Sequence, residues 1–125
     1  MVDVSDLIGI PYKEHGRDKT GLDCYGLAIE VSKRFGNDLT DFDYKRHTDD
    51  FFNSTANNCI KTHAPKKIQH FIEGALVLFC NTRGEKNHIG VYIGDGYIIH
   101  CNSNGVHLSR TDEFSEKMEI YIWQN

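Results

Sequence analysis

The chain has 125 residues, of which 39% are hydrophobic and 26% are charged, and its formal net charge is −4. This length predicts one domain with a sizeable core. No basic stripe is present, and the negative balance argues against a nucleic-acid partner. The sequence also lacks a long apolar segment and a signal-peptide pattern at its start, so we expect synthesis in the cytoplasm and no membrane partner.

The first strong pattern predicts an amphipathic helix of about three turns that begins at Cys24. Asp23 is a suitable N-cap, and Gly36-Asn37 is a typical end of a helix. The apolar residues recur at the three- and four-residue spacing of one helix face. They are Cys24, Leu27, Ala28, Val31 and Phe35.

Cys24 therefore falls in the first helical turn, where backbone N–H groups lack partners within the helix. The positive end of the helix dipole favours a thiolate, which predicts a lowered pKa and a nucleophilic cysteine. A buried cysteine of the core is the alternative, because free cysteine is among the most buried residue types. The four cysteines are widely spaced and contain no Cys-x-x-Cys pair, which favours a reduced chain.

The rest of the chain predicts strands after a polar region that holds a short helix around Asp49 to Cys59. The strand segments are rich in β-branched and aromatic residues and are separated by turn residues. A helix followed by a series of strands indicates an α+β fold. The predicted strands are Gly74 to Cys80, His88 to Gly94, Tyr97 to Asn102, Gly105 to Arg110 and Met118 to Gln124.

The segment "NHIGVYIGDGYIIHCN" predicts a hairpin whose register decides which side chains share a face. A three-residue loop, Gly94 to Gly96, places Ile93 opposite Tyr97 and separates an apolar face from a more polar one. A two-residue Asp95-Gly96 loop with Ile93 opposite Ile98 would instead mix the apolar and the more polar side chains on each face. The apolar face holds Ile89, Val91, Ile93, Tyr97, Ile99 and Cys101, and the other face holds His88, Gly90, Tyr92, Ile98, His100 and Asn102.

This register makes His88 and His100 diagonal neighbours on one face. A nucleophilic cysteine needs a base, and the base needs a polar group that orients it. Cys24, His88 and His100 supply these three parts. Two alternatives remain at this point: the histidines share a face by chance, or Cys24, His88, His100 and Cys101 form a zinc site, although the usual local pairing of zinc ligands is missing.

Three segments in this order resemble the NlpC family of papain-like cysteine peptidases, many of which cleave bacterial cell-wall peptides. They are "GIPYKEHGRDKTGLDCYGL", "EGALVLFC" and "NHIGVYIGDGYIIHC", and the resemblance runs from Gly9 to about Leu108. It implies one catalytic domain over residues 1–125. The implied fold is papain-like, with an N-terminal helix carrying the cysteine packed on an antiparallel sheet of about five strands.

The resemblance also implies roles for individual residues. Cys24 is the nucleophile, His88 is the general base and acid, and His100 orients His88. Tyr12 lies beside the nucleophile, and Asp23 helps to hold the free amine of a substrate peptide. The implied substrate is a peptidoglycan stem peptide cut at the γ-D-glutamyl to diamino acid bond, with no cofactor and no metal.

One departure from the family pattern concerns substrate recognition. Tyr25 stands where the cell-wall members usually have serine, and this resembles the branch found in phage and prophage tail proteins. We therefore also expect action at the cell wall after delivery by a phage tail, lysis or a secretion system. The alternatives are an amidase, an acyltransferase, a non-catalytic structural component of a tail, and a metal-binding module. Cys101, beside His100, is interpreted as a core residue.

Overall fold

A computed structural model of the chain describes residues 2–44 and 49–124. The described residues form eight β-strands and two α-helices, besides two short 3-10 helices. In chain order the strands and α-helices are as follows. They are β1 (Arg17–Asp18), β2 (Gly21–Leu22), α1 (Cys24–Arg34), α2 (Asp49–His63), β3 (Lys66–Ile68), β4 (Leu76–Cys80), β5 (Lys86–Gly94), β6 (Tyr97–Asn102), β7 (Gly105–Arg110) and β8 (Lys117–Ile122).

The helix α1 begins at the predicted residue, Cys24, and carries the predicted cap. The Asp23 side chain accepts a hydrogen bond from the backbone N–H of Gly26 at 2.7 Å, which satisfies one of the donors at the helix start. The chain leaves the helix at Gly36, whose φ of 87° is the left-handed conformation that glycine adopts readily. The second helix, α2, begins at Asp49 as predicted and continues beyond Cys59 to His63.

The main sheet is antiparallel and has six strands in the order β3-β8-β4-β5-β6-β7. Five of them correspond to the predicted strands, and β3 was not predicted. A separate two-stranded antiparallel ladder, β1 with β2, precedes α1. Two helices packed on an antiparallel sheet confirm the α+β class. Neither described helix is long and apolar enough to cross a bilayer.

The two faces of the sheet differ in what covers them. The helix α1 packs over the central strands β5 and β6, and α2 packs over β5. The main core lies between them and includes Ile89, Val91, Ile99 and Cys101. A smaller cluster on the opposite face is built around Val77, Phe79 and Ile98, with Phe114 packed against it. The predicted division of the β5–β6 residues between two faces is thereby confirmed.

The predicted register of this hairpin is confirmed, but the predicted turn is wrong. Val91 pairs with Ile99 and Tyr92 with Ile98, as the three-residue loop requires, yet Gly94 then pairs with Tyr97. Ile93 is the extra residue of a β-bulge, so the turn itself is the two-residue Asp95-Gly96. Both turn residues have positive φ, at 55° and 84°, which is the type I′ geometry that Asp-Gly favours.

Gly26, in the first turn of α1, provides a test of local packing. A Cβ at Gly26 would lie 2.2 Å from the carbonyl oxygen of Gly16, which is backbone and cannot move easily. Gly26→Ala should therefore lower the free energy of unfolding by about 2 kcal/mol or more, although alanine is the better helix former. Urea unfolding measures this, with Lys33→Ala on the exposed side of α1 as the control. An increase in stability for Gly26→Ala would contradict the close approach.

Candidate active site

Cys24 lies at the start of α1, with its side chain nearly closed off from solvent at 2% exposure. Burial raises the pKa of its thiol well above the ordinary value, and the negative charge of Asp23 raises it further. Hydrogen bonding from the backbone of Ile89 opposes both effects in part. The direction is opposite to the one expected from the helix dipole, because burial disfavours the charged thiolate. The thiol is therefore protonated at neutral pH and needs a base.

The two predicted histidines contact each other across the neighbouring strands β5 and β6. Nε2 of His88 lies 2.9 Å from Nδ1 of His100, and Nε2 of His100 lies 2.9 Å from the hydroxyl oxygen of Ser109. His88 is on β5, next to Ile89, whose backbone contacts the thiol. The contact with His100 uses Nε2 of His88, so a proton exchange with a thiol would use Nδ1.

This chain of contacts fixes the tautomers that a base would need. If Nδ1 of His88 accepts a proton, its Nε2–H donates to Nδ1 of His100. His100 then carries its own proton on Nε2 and donates it to the Ser109 hydroxyl. Ser109 is 7% exposed and was missed by the sequence reasoning, because "GVHLSR" reads as an ordinary strand.

His100 is held neutral by its surroundings. It is 4% exposed, and burial lowers its pKa to about 4, with a smaller contribution from the charge of His107 on the neighbouring strand. A neutral His100 can accept a hydrogen bond from His88, which a protonated ring could not do. Its environment therefore suits the role of an orienting group.

The low pKa of His100 predicts a pH dependence of stability. Between about pH 6.5 and 4 the unfolded chain binds a proton that the folded chain does not, so stability is full above this window and falls as the pH is lowered through it. The loss should be about 3 kcal/mol at most, given 1.36 kcal/mol for each pKa unit. Urea unfolding at pH 7 and pH 4.5 should show a smaller loss for His100→Asn than for the wild type. An equal loss in both proteins would contradict a neutral, buried His100.

Tyr12 lies in the loop before α1, with 37% of its surface exposed. The backbone of Tyr12 forms an isolated parallel β-bridge with Leu22, two residues before Cys24. Burial raises the pKa of its phenol, and the negative charges of Asp23 and Glu14 and a Cys24 thiolate act in the same direction. Tyr12 therefore keeps its proton at neutral pH, and its predicted place beside the nucleophile stays a prediction.

The side chain of Asp23 is buried at the start of α1 and is not exposed to solvent. Its carboxylate is fully buried and accepts hydrogen bonds from the backbone of His15 at 3.0 Å and from Arg17 at 2.8 Å, in addition to the Gly26 N–H. The hydroxyl of Tyr44 also donates to it. These donors hold the helix start against the preceding loop. The predicted contact with a substrate amine stays a prediction, and it would require one of these donors to move.

Arg17 and Tyr44 are two parts of the site that the sequence did not reveal. Arg17 joins the buried Asp23 to the exposed Asp41, and it also donates to the Tyr44 hydroxyl at 2.9 Å. No local pattern links residues so far apart in the chain. Their effect is to compensate a buried negative charge directly behind the nucleophile.

Tyr25 lies inside the core, with no exposed surface. Its hydroxyl donates to the carbonyl of Thr40 at 2.5 Å, and its ring packs edge-on against Tyr44 and Phe52. Its place after the cysteine therefore affects packing beneath α1, and a contact with substrate stays a prediction.

Cys101 is also buried, with its thiol directed at the carbonyl of Leu22 at 3.1 Å, as expected for a core residue. The four cysteines, all within the described residues, form no disulfide. Across residues 2–44 and 49–124, no three His, Cys, Asp or Glu side chains are grouped so that they could hold a metal ion. The proposed zinc set of Cys24, His88, His100 and Cys101 therefore has no support from the geometry.

The comparison with protein families finds a match over most of the chain. The model of the NlpC/P60 family matches residues 9–123, which is nearly the whole chain. The chain belongs to the NlpC/P60 family.

Similar proteins of known name include two bacterial enzymes. The probable peptidoglycan endopeptidase LytE of Bacillus subtilis (strain 168) is 29% identical over 109 residues, which cover 86% of this chain and 28% of LytE. The murein DD-endopeptidase MepH of Escherichia coli (strain K12) is 30% identical over 106 residues, covering 83% of this chain and 35% of MepH. The NlpC/P60 chain thus spans about a third of the length of these relatives.

Solved structures show the same fold. The NlpC/p60 domain of the peptidoglycan hydrolase SagA superposes with a TM-score of 0.63 at 20% identity, covering 94% of this chain and 92% of that domain. NlpC2 from Trichomonas vaginalis superposes with a TM-score of 0.69 at 18% identity, covering 97% of this chain and 45% of NlpC2. At these identities the likeness concerns the fold.

Proposed function

We propose that this NlpC/P60 chain is a cysteine peptidase that hydrolyses an amide bond in peptidoglycan stem peptides. The observation that carries the proposal is the 2.9 Å contact between His88 and His100, because a base needs a polar partner that fixes its ring orientation and tautomer. Membership of a family with named cell-wall endopeptidases supports the class of substrate.

The first half of the proposed reaction forms a thioester. Nδ1 of His88 takes the proton of the Cys24 thiol as the sulfur attacks the carbonyl carbon of the substrate. The negative charge that develops on the carbonyl oxygen is stabilised by the backbone N–H of Cys24 and by the Tyr12 hydroxyl. The C–N bond then breaks, and His88 gives its proton to the leaving amine.

The second half restores the thiol. Water attacks the thioester carbonyl while His88, now neutral, accepts a proton from it, and the thiolate leaves and is reprotonated by His88. Throughout, His100 accepts the Nε2–H of His88 and keeps the ring in place. Because burial disfavours a free thiolate, proton transfer to His88 accompanies the attack of the sulfur on the carbonyl carbon.

The bond that we propose is the amide between γ-D-glutamate and the diamino acid. This choice comes from the resemblance of the motifs to the NlpC peptidases. MepH is named a DD-endopeptidase. The amide bond of the peptide cross-link is therefore the second bond that we compare with the γ-D-glutamyl bond. We further propose that the site of action is the cell wall, reached by a phage tail, lysis or a secretion system.

Digestion of purified muropeptides followed by mass spectrometry tests both the class and the bond. The proposal predicts a new fragment that ends in a free γ-D-glutamyl carboxyl group and a second one with a free α-amine on the diamino acid. Fragments cut at the cross-link would keep the peptidase class and overturn the bond. Release of the intact stem from the sugar would indicate an amidase, and unchanged muropeptides would overturn the proposed function.

A further inference from the structure

Ser109 lies on β7, the strand at one edge of the main sheet. In the β6–β7 ladder Ile98 is opposite Ser109, and His100 is opposite His107, so Ser109 and His100 are diagonal neighbours on one face. The hydroxyl oxygen of Ser109 lies 2.9 Å from Nε2 of His100. Both side chains are buried, so this hydrogen bond is made away from bulk water.

The other groups around the His100 ring on this face are mostly rings. The ring centroids of His107 and Phe114 lie 4.3 and 5.2 Å from that of His100. The ring of Phe79 follows at 6.1 Å. Aromatic rings pack well against an imidazole but do not replace a hydroxyl as a hydrogen-bond partner. Ser109 therefore provides at Nε2 the hydrogen bond that the aromatic rings do not.

The position of the proton on His100 decides the position of the proton on His88. A neutral imidazole has one N–H group and one nitrogen with a free lone pair. If Nδ1 of His100 carried the proton, it would donate to Nε2 of His88, and His88 would then carry its own proton on Nδ1. In that tautomer Nδ1 of His88 has no lone pair with which to take up the proton of a thiol.

The opposite arrangement is the one that the proposed reaction needs. When His88 holds the proton of the thiol, both of its nitrogens carry hydrogen, and its Nε2–H requires an acceptor. Nδ1 of His100 can accept only if the proton of His100 is on Nε2. That buried N–H needs an acceptor in turn, because a buried donor without a partner is costly. The hydroxyl oxygen of Ser109 is in place to accept it.

We propose that Ser109 is a positioning residue, which holds His100 in the tautomer protonated on Nε2 and thereby keeps Nδ1 of His88 free to act as a base. Ser109 acts through His100 and needs no contact with the substrate or the thiol. The proton on Nε2 of His100 stays there throughout the reaction. The inference rests on the proposed function.

The kinetic test removes or keeps the hydroxyl. Ser109→Ala should lower kcat on stem peptides by about tenfold, the effect of one hydrogen bond of ordinary net strength. KM should stay within about twofold of the wild type, since a buried hydroxyl leaves the binding of substrate unchanged. Ser109→Thr keeps the hydroxyl and should remain within about threefold of the wild-type kcat.

Ser32→Ala is the matched control. Ser32 is also buried, but it lies on α1, and among the described residues its hydroxyl has no hydrogen-bond partner. Its replacement removes a buried hydroxyl that bonds to neither histidine. The kcat of this variant should equal that of the wild type in the folded fraction.

A second readout is independent of activity. The ¹⁵N chemical shifts of the histidine rings at pH 7 report which nitrogen of His100 carries the proton. The wild type and Ser32→Ala should show the proton on Nε2, and Ser109→Ala should show an added population with the proton on Nδ1. A merely structural role of Ser109 would leave the tautomer unchanged.

The outcomes separate the inference from the proposed function. A wild type with the proton of His100 on Nδ1 overturns the positioning role, whether or not Ser109→Ala folds. Wild-type kcat in a folded Ser109→Ala protein overturns it as well, and so does a lower kcat with an unchanged tautomer, while the peptidase stands. A wild type that cleaves no stem peptide overturns the proposed function and the role of Ser109 with it.

Discussion

Replacement of Cys24 by alanine should lower the turnover of stem peptides by at least about 10⁴-fold. The variant lacks the sulfur that attacks the carbonyl carbon, and no other group at the site can form the thioester. Folding should be largely kept, because removal of one buried sulfur leaves only a small cavity. Turnover and melting temperature, measured on the same preparation, separate loss of chemistry from loss of structure.

Cys59→Ala is the matched control for this substitution. Cys59 is equally buried, at 1% exposure, but it lies on α2 and takes no part in the proposed reaction. It should keep wild-type turnover in the folded fraction. Substantial turnover by a folded Cys24→Ala protein would remove this residue from the mechanism.

His100→Ala should lower kcat by about 10²-fold or more and leave KM nearly unchanged. The substitution removes the acceptor for the Nε2–H of His88, so the base loses its orientation while the binding surfaces remain. His100→Asn and His100→Gln should recover part of the loss, because an amide oxygen can accept the same hydrogen bond. The three variants should also differ in the acid limb of the pH–rate profile, which reports the His88 pKa.

His107→Asn is the control for the histidine series. The His107 ring packs 4.3 Å from that of His100, and its Nδ1 lies 3.0 Å from the carbonyl of Gly105. It should remain close to the wild type in kcat. Turnover within about threefold of the wild type in a folded His100→Ala protein would show that His100 only packs in the sheet, given the usual size of acid–base effects.

The features that the sequence predicted are those set by local patterns. Spacing and an N-cap specify the start of α1, and alternation along β5 and β6 specifies which side chains share a face, which brought His88 and His100 together correctly. The turn was wrong because a single bulged residue, Ile93, lets a two-residue loop coexist with the predicted register. A bulge adds a residue without leaving a pattern in the sequence.

The features that were missed depend on contacts between distant parts of the chain. The short strand β3 is defined by its partner β8, and three residues are too few to show a period. Arg17 and Tyr44 reach Asp23 across loops, and Ser109 reaches His100 across the β6–β7 ladder. The pKa of Cys24 was expected to fall because the helix start is visible in the sequence, whereas the burial that raises it is not.

Active-site-directed labelling tests the central claim, that Cys24 attacks the carbonyl of the substrate. The reagent is L-Ala-γ-D-Glu in which a chloromethyl ketone replaces the scissile carbonyl group, and the labelled residue is located by peptide mass spectrometry. All four cysteines are buried, so exposure alone does not favour one of them. The account predicts one adduct, on Cys24, that forms much more slowly in His88→Ala. An adduct on Cys59, Cys80 or Cys101, or no adduct in a protein that turns over stem peptides, would contradict it.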